Sequence, residues 1–194
     1  GRFTRDRYPD VIRPSVFDHR GAVPVLLAML DRVSHPHVLS ALVRSLTSRY
    51  ARPTAAVPLM ALFRRRTAAT DWSLKWAIGN ALATVATPVH RQELLLLALE
   101  PSHGIGRQMI VERLGRIRND ASILDALHCL ATDPDVALHA QAGLRRQLGN
   151  EAAARIIRPL LAHESEGVRR AAIYNLRMQQ RANSRLARKA ATPA

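Results

Sequence analysis

Five segments of the sequence share one spacing of small and aliphatic residues, and this repetition constrains the fold more than any other feature. Aligned on a common leucine, they are VLSALVRSL (38–46), LKWAIGNAL (74–82), GRQMIVERL (106–114), VALHAQAGL (136–144) and VRRAAIYNL (168–176), which begin 30 to 36 residues apart. Within each segment the first, fourth, fifth and ninth positions are mostly small or aliphatic. That spacing is the stripe of one α-helix face, not the alternation of a strand. The sequence therefore predicts five similar helices at a nearly constant period.

A second apolar helical segment precedes each of these five. The preceding segments are predicted at about 22–32, 54–66, 90–100, 121–131 and 151–163, with turn signals such as His35-Pro36 and Gly149-Asn150 between helices. Short connections favour antiparallel pairs, so the predicted fold is all-α, an α-solenoid of about five stacked antiparallel helical hairpins. The predicted organisation is an N-terminal lead-in or cap (1–20), the repeat domain (21–180) and a basic, flexible C-terminal tail (181–194).

Two of the five segments resemble the bacterial HEAT-like repeat family. EGVRRAAIYNL (166–176) and DPDVALHAQAGL (133–144) are similar to the pattern D-x-x-V-R-x-x-A-x-x-x-L of the second helix in that family. The resemblance covers about residues 21–180, although the first three repeats lack the V-R pair. It implies that the second helices line a concave surface. It implies no particular function, because the pattern consists of core packing and helix capping.

The charge balance points to anionic partners. The chain has 29 Lys plus Arg against 15 Asp plus Glu, a net charge of +14. Since 27 of the 29 basic residues are arginine, a compositional bias spread evenly over the surface is the alternative explanation. On a helical wheel, however, the arc opposite the apolar stripe of the second helices holds Arg44, Lys75, Arg107, Arg145, Arg169, Arg170 and Arg177. Glu112 is the only acid in that arc, and acids are commoner on or beside the first helices, which predicts a basic face.

Trp72, Trp76 and Asn80 fall on the same arc, away from the core stripe. Exposed tryptophans among arginines are typical of binding hot spots. The alternative is that Trp72 packs on a loop and Trp76 covers an arginine by a cation–π contact. We therefore expect a non-catalytic interaction or scaffold module that binds an acidic protein surface through Trp72, Trp76, Asn80 and the seven basic residues above.

The alternative function is binding of duplex nucleic acid through the same face. An aromatic content of 4% argues against a stacking platform for single strands. An enzymatic version is suggested by resemblance to the alkylpurine DNA glycosylases, which also use HEAT-like helices with a basic face. This chain shares the arginines, Asp71, Trp72 and Trp76, but its two tryptophans come from one helix, so we do not expect an enzyme.

The remaining motifs predict no metal and no cofactor. Histidines 35, 37, 128 and 139 and the single cysteine, Cys129, lack the spacing of a zinc site. We expect His139 to be a hydrogen-bonded structural residue and Cys129 to pack inside its helix pair. The glycines at 104 and 106 follow no strand, which excludes a dinucleotide site. Asp133-Pro134-Asp135 directly precedes a helix, and N-capping is its expected role.

The apolar runs are too short for a membrane. The longest, such as VPVLLAML (23–30), fall well below the roughly 20 residues that a membrane helix needs. The N-terminal residues also lack the apolar region of a signal peptide. A single cysteine fits a reducing compartment. The expected location is therefore the cytoplasm.

Overall fold

The computed structural model describes residues 19–191, and side chains for residues 20–184. Within this range the chain forms ten α-helices and no strands. They are α1 (His19–Met29), α2 (Pro36–Ser45), α3 (Ala56–Arg65), α4 (Ala68–Val85), α5 (Arg91–Leu99), α6 (Gln108–Leu114), α7 (Ala121–Leu130), α8 (Ala137–Leu148), α9 (Asn150–Ile157) and α10 (Glu166–Ala191). Short 3₁₀ helices cover Arg49–Ala51, Pro88–His90, Pro101–Arg107 and Arg158–Ala162. The all-α prediction is confirmed.

Each of the ten predicted helical segments overlaps one observed helix. The N-terminal lead-in lies outside the described residues, apart from its last two positions in α1. Helix α10 extends into the predicted tail as far as Ala191.

Local sequence explains where several helices begin and end. The side chain of Asp120 accepts a hydrogen bond from the backbone N–H of Ile123 at 3.2 Å and so caps α7. Pro36 takes the first position of α2, where the helix needs no backbone donor. Gly149 ends α8 with a φ of 81°, which other residues rarely adopt.

The helices pack between neighbours along the chain. Each even-numbered helix contacts the next even-numbered helix, from α2 through α4, α6 and α8 to α10. Each odd-numbered helix contacts the even-numbered helix that follows it. Leu39, Phe63, Ile78, Ile110 and Leu144 are fully buried and come from five different helices. One connected core thus runs from Val23 to Ala172.

No helix among residues 19–191 combines the length and the apolar character that crossing a membrane requires.

Candidate partner-binding face

The even-numbered helices carry exposed and half-buried side chains opposite their predicted apolar stripe, and we call this set the even-helix face. It comprises Arg44, Trp72, Trp76, Asn80, Gln108, Glu112, Leu138, Arg145, Arg170, Tyr174 and Arg177. Hydrogen bonds connect neighbouring helices within this set. Trp76 Nε1 donates to Gln108 Oε1 at 3.2 Å, and Arg145 Nη1 donates to Asn175 Oδ1 at 3.2 Å. The face is therefore built by contacts across helices, not by one helix alone.

Trp72 is the most exposed aromatic side chain of the face, at 58%. The helix is interrupted just before it, because Asp71 has non-helical angles (φ −120°, ψ 30°). Beside Trp72 lies a cavity of about 160 Å³ between the N-terminal ends of α2 and α4. Its lining includes Pro36, His37, Ser40 and Asp71. The indole thus forms one wall of an open depression with both apolar and polar surface.

Trp76 and Asn80 lie deeper than predicted, since both are half-buried. The indole N–H of Trp76 is used by Gln108, whose amide donates in turn to the backbone carbonyl of Asp135 at 2.9 Å. Trp76 therefore links α4, α6 and the turn before α8. Trp72 is the more accessible of the two tryptophans, and Trp76 holds its helix in place.

Lys75 does not lie on the surface, so the helical-wheel placement was wrong for this residue. Its side chain is 1% exposed, donates from Nζ to the carbonyl of Arg66, and lies 4.8 Å above the ring of Phe63. A Cβ on Gly106 would come within 2.8 Å of Lys75 Cγ, so the glycine lets the 3₁₀ segment close over the lysine. Burial lowers the pKa of Lys75.

Arg107 was also predicted to be exposed and is likewise buried, at 1%. Its guanidinium lies 2.8 Å from Oδ2 of Asp133 and 3.6 Å from Oδ2 of Asp135. It also donates to the carbonyl oxygens of Gly104 (3.0 Å) and Ala98 (3.3 Å). Because α6 begins only at Gln108, Arg107 belongs to the preceding 3₁₀ helix, and its guanidinium contacts the two aspartates before α8. Arg107 therefore joins these two segments and is not available to a partner.

The two aspartates before α8 therefore have a role that capping alone does not describe. Asp133 Oδ1 accepts a hydrogen bond from the backbone N–H of Asp135 at 3.0 Å, a turn contact of the capping type that the sequence predicted. The other oxygen of Asp133 is committed to Arg107. The pair neutralises a buried cation and does not form a catalytic dyad.

Glu112 lies at the centre of the face and is clamped by arginines. Arg146 donates to both of its oxygens at 2.9 and 3.0 Å, and Arg116 donates to Oε1 at 3.0 Å. His139 Nδ1 lies 3.7 Å from Oε2. Burial alone would raise the pKa of Glu112, but the hydrogen bonds from the two arginines outweigh it and lower that pKa. Glu112 is therefore fully paired, and the cluster at the middle of the face keeps one arginine more than it has carboxylates.

Arg145 is half-buried, and its Nε has no hydrogen-bond partner in the described part of the chain. Burial, with Arg146 close by, lowers its pKa. Asn175, which accepts from Arg145, donates to the carbonyl of Leu138 at 3.2 Å. Arg145 is therefore positioned between α8 and α10, and its Nε–H group can still donate a hydrogen bond.

The other four predicted arginines form two groups, one with hydrogen-bond or ion-pair partners and one without. Arg169 donates to the carbonyls of His163 (2.7 Å) and Glu164 (2.6 Å), and Arg170 pairs with Glu166 at 2.5 Å. Arg44 and Arg177 are exposed and have no ion pair or hydrogen bond among the described residues. The free cations of the face thus lie toward its first and last repeats.

Sequence reasoning missed Gln108 and Tyr174, which the structure places on this face. Gln108 occupies the same position of its aligned segment as Trp76, and Tyr174 the same position as Arg44 and Asn80. Reading the alignment by column across the repeats would have found both.

The residues considered for metal binding are dispersed. Within residues 20–184 no group of three or more His, Cys, Asp or Glu side chains is placed to hold a metal ion. Cys129 is exposed on α7, so the prediction that it packs inside was wrong. His139 is half-buried, and burial lowers its pKa although Glu112 opposes that effect. His139 thus contacts Glu112, as expected for a structural histidine.

No protein-family model, no curated protein and no solved structure matches this chain.

Proposed function

We propose that this chain is a non-catalytic interaction module, an α-solenoid of HEAT-like repeats that binds an acidic protein surface in the cytoplasm through its even-helix face. Trp72 carries this proposal, because a large indole is left 58% exposed beside an open cavity while its neighbour Trp76 is held by a hydrogen bond. Exposed tryptophans near arginines are the side chains that most often dominate interface energies.

The arrangement of charge supports a protein partner on this face. Lys75 and Arg107 are buried, and Glu112 is paired with two arginines, so the middle of the face offers hydrogen-bonding groups and a small excess of positive charge. Arg44 and Arg177 are exposed nearer its ends. Peripheral charges of this kind steer the association of an acidic protein partner.

The alternative functions have weaker support on this face. Duplex nucleic acid needs a continuous row of cations, and the burial of Lys75 and Arg107 interrupts the predicted row. A glycosylase-like reaction would use Asp71 beside Trp72, but the Asp71 carboxylate lies 3.6 Å from the Arg66 guanidinium. Both tryptophans also come from α4 alone.

The test replaces Trp72 with alanine and uses Leu96→Ala as the matched control. Leu96 is 53% exposed on α5, away from the even-helix face. Tagged full-length protein is used to capture partners from a nuclease-treated lysate of the source organism. We expect wild type and Leu96→Ala to retain the same acidic protein and Trp72→Ala to lose it, because the anchor is gone.

Thermal unfolding separates binding from folding. An exposed side chain contributes less than about 0.5 kcal/mol, so the midpoint of Trp72→Ala should stay within about 2 °C of wild type. A large drop in that midpoint would assign Trp72 to the core. Undiminished capture by Trp72→Ala would remove the proposed anchor.

A further inference from the structure

The connections from each even-numbered helix to the next odd-numbered helix meet along one side of the molecule, which we call the even-to-odd edge. Four contacts link them in order. These are the Arg52 Nε bond to the Thr84 carbonyl, the Arg91–Asp120 ion pair (2.9 Å), the Gln147 Nε2 bond to the Ile117 carbonyl (2.8 Å) and the Asn150–Asn183 bond (3.2 Å). This chain of contacts makes the edge a continuous surface from the first hairpin to α10.

Exposed arginines without a carboxylate partner are concentrated at this edge. Six exposed arginines there have no carboxylate partner in the described residues: Arg44, Arg49, Arg52, Arg118, Arg177 and Arg181. Arg91, Arg116 and Arg146 are also exposed, but they share only Asp120 and Glu112. The arginines thus outnumber the acids along the whole length of the edge.

The opposite edge, where odd-numbered helices lead into even-numbered ones, has a different character. It carries Asp31, Asp71, Glu100, Asp133, Asp135, Glu164 and Glu166. Its arginines are comparable in number, but several are buried or paired with acids: Arg107 with two aspartates, Arg65 with Asp31, Arg66 with Asp71 and Arg170 with Glu166. Arg32 and Arg158 are exposed there without a carboxylate partner in the described residues. The two edges therefore differ in their acids and not in their number of arginines. As a result, the arginines without a carboxylate partner are concentrated at the even-to-odd edge.

The chemistry of these arginines suits a phosphate backbone. Guanidinium groups bind phosphate oxygens through paired hydrogen bonds. Neighbouring packed helices lie about 8–10 Å apart, so an edge spanning five hairpins is roughly 35–40 Å long. That length is about one turn of a DNA duplex. Arg44 also lines a cavity of about 530 Å³ with the hydroxyl residues Ser45, Thr47 and Ser48, which add polar groups at one end.

We propose that the even-to-odd edge is a second binding surface, which shares Arg44 and Arg177 with the even-helix face but does not include Trp72, and which holds the phosphate backbone of double-stranded DNA without reading its sequence. A duplex is the better match than a single strand, because stacking of unpaired bases needs a series of exposed aromatic rings. At this edge Tyr50 is the aromatic side chain, and Arg49 already donates to its hydroxyl at 3.2 Å.

The experiment measures binding of the full chain to a fluorescein-labelled duplex of about two turns, by anisotropy, as salt is raised. Six phosphate contacts give a slope of log K against log salt near −5. The triple variant Arg44→Gln, Arg118→Gln, Arg177→Gln should make that slope shallower by roughly 3. Its affinity at about 0.1 M salt should fall roughly tenfold for each arginine removed.

A matched triple variant controls for net charge. Arg32→Gln, Arg65→Gln and Arg158→Gln remove the same formal charge at or just after the ends of odd-numbered helices, although Arg65 is paired with Asp31 at 2.7 Å. We expect this triple variant to leave the slope unchanged. Replacing Arg44, Arg118 and Arg177 by lysine should retain most of the slope, which shows that the glutamine variant acts through charge. Equal losses in both glutamine triples would overturn the assignment to this edge.

Two further results would overturn the proposal. One is the absence of duplex binding at low salt. The other is arginine-dependent binding to vesicles containing anionic lipid, or to an acidic peptide, in place of DNA. Trp72→Ala should leave DNA affinity unchanged, so failure of this proposal is distinguishable from failure of the protein-binding proposal.

Discussion

Arg107 allows the strongest quantitative test of the structure, because the sequence and the structure place it in opposite environments. The perturbation is Arg107→Met, which keeps an unbranched side chain of similar length and removes the charge. In the structure this substitution removes the guanidinium that donates to three groups. They are the carboxylate of Asp133, which is 23% exposed, and the carbonyl oxygens of Ala98 and Gly104. A solvent-exposed Arg107 would leave none.

The size of the effect follows from these contacts. Hydrogen bonds to a charged group contribute about 1.5–3 kcal/mol each, and breaking a buried ion pair from one side costs about 3–5 kcal/mol. The carboxylate of Asp133 regains some water, which places the expected loss of unfolding free energy near the lower end, at about 3 kcal/mol. With a urea dependence of about 2 kcal/mol per M, the midpoint should fall by roughly 1.5 M.

Urea unfolding followed by circular dichroism measures this loss. Arg177→Met is the control, because Arg177 is exposed and unpaired in the described chain, and its replacement should cost less than about 0.5 kcal/mol. A double-mutant cycle with Asp133→Asn should give a coupling energy above about 1 kcal/mol. A loss below about 1 kcal/mol for Arg107→Met, or no coupling, would refute the buried ion pair.

Two further predictions concern the same region. Burial, reinforced by Lys75 and Arg107 and opposed by Glu100, lowers the pKa of His103 from 6.5 to about 4. Below pH 6.5, His103 therefore takes up a proton in the unfolded chain but not in the folded chain. The free energy of unfolding should fall by about 3 kcal/mol between pH 7 and pH 4. His103→Gln should remove most of that fall in urea titrations, and an unchanged pH profile would contradict it. Gly79→Ala should destabilise by about 1–3 kcal/mol in thermal unfolding, because its Cβ would collide with the carbonyl oxygen of Gly106. A neutral effect would mean that the two segments lie further apart.

Helix positions could be predicted from the sequence because they depend on local periodicity. The aligned segments share a core stripe, and Leu46, Ile78, Ile110 and Leu144 of that stripe are all fully buried. The same reasoning placed Trp72 correctly on the surface. These outcomes need only the assumption that apolar faces turn inward.

The errors at Lys75 and Arg107 have a different origin. A helical wheel treats everything opposite the apolar stripe as solvent-facing, whereas a 3₁₀ helix (Pro101–Arg107) covers that part of α4. This segment reaches α4 because Gly79 and Gly106 lack side chains at the contact. The two glycines were visible in the sequence, but which segment they admit depends on the three-dimensional packing.

The two kinds of arginine in this chain show why net charge alone could not locate a binding surface. The ion pairs Arg107–Asp133 and Arg146–Glu112 each use a cation to hold together segments that are distant in the sequence. Other arginines, such as Arg44 and Arg177, are exposed and have no ion pair in the described part of the chain. Arginines of the second kind stay available to an external anion. The surface charge of this protein therefore has to be counted after the pairs between helices are removed.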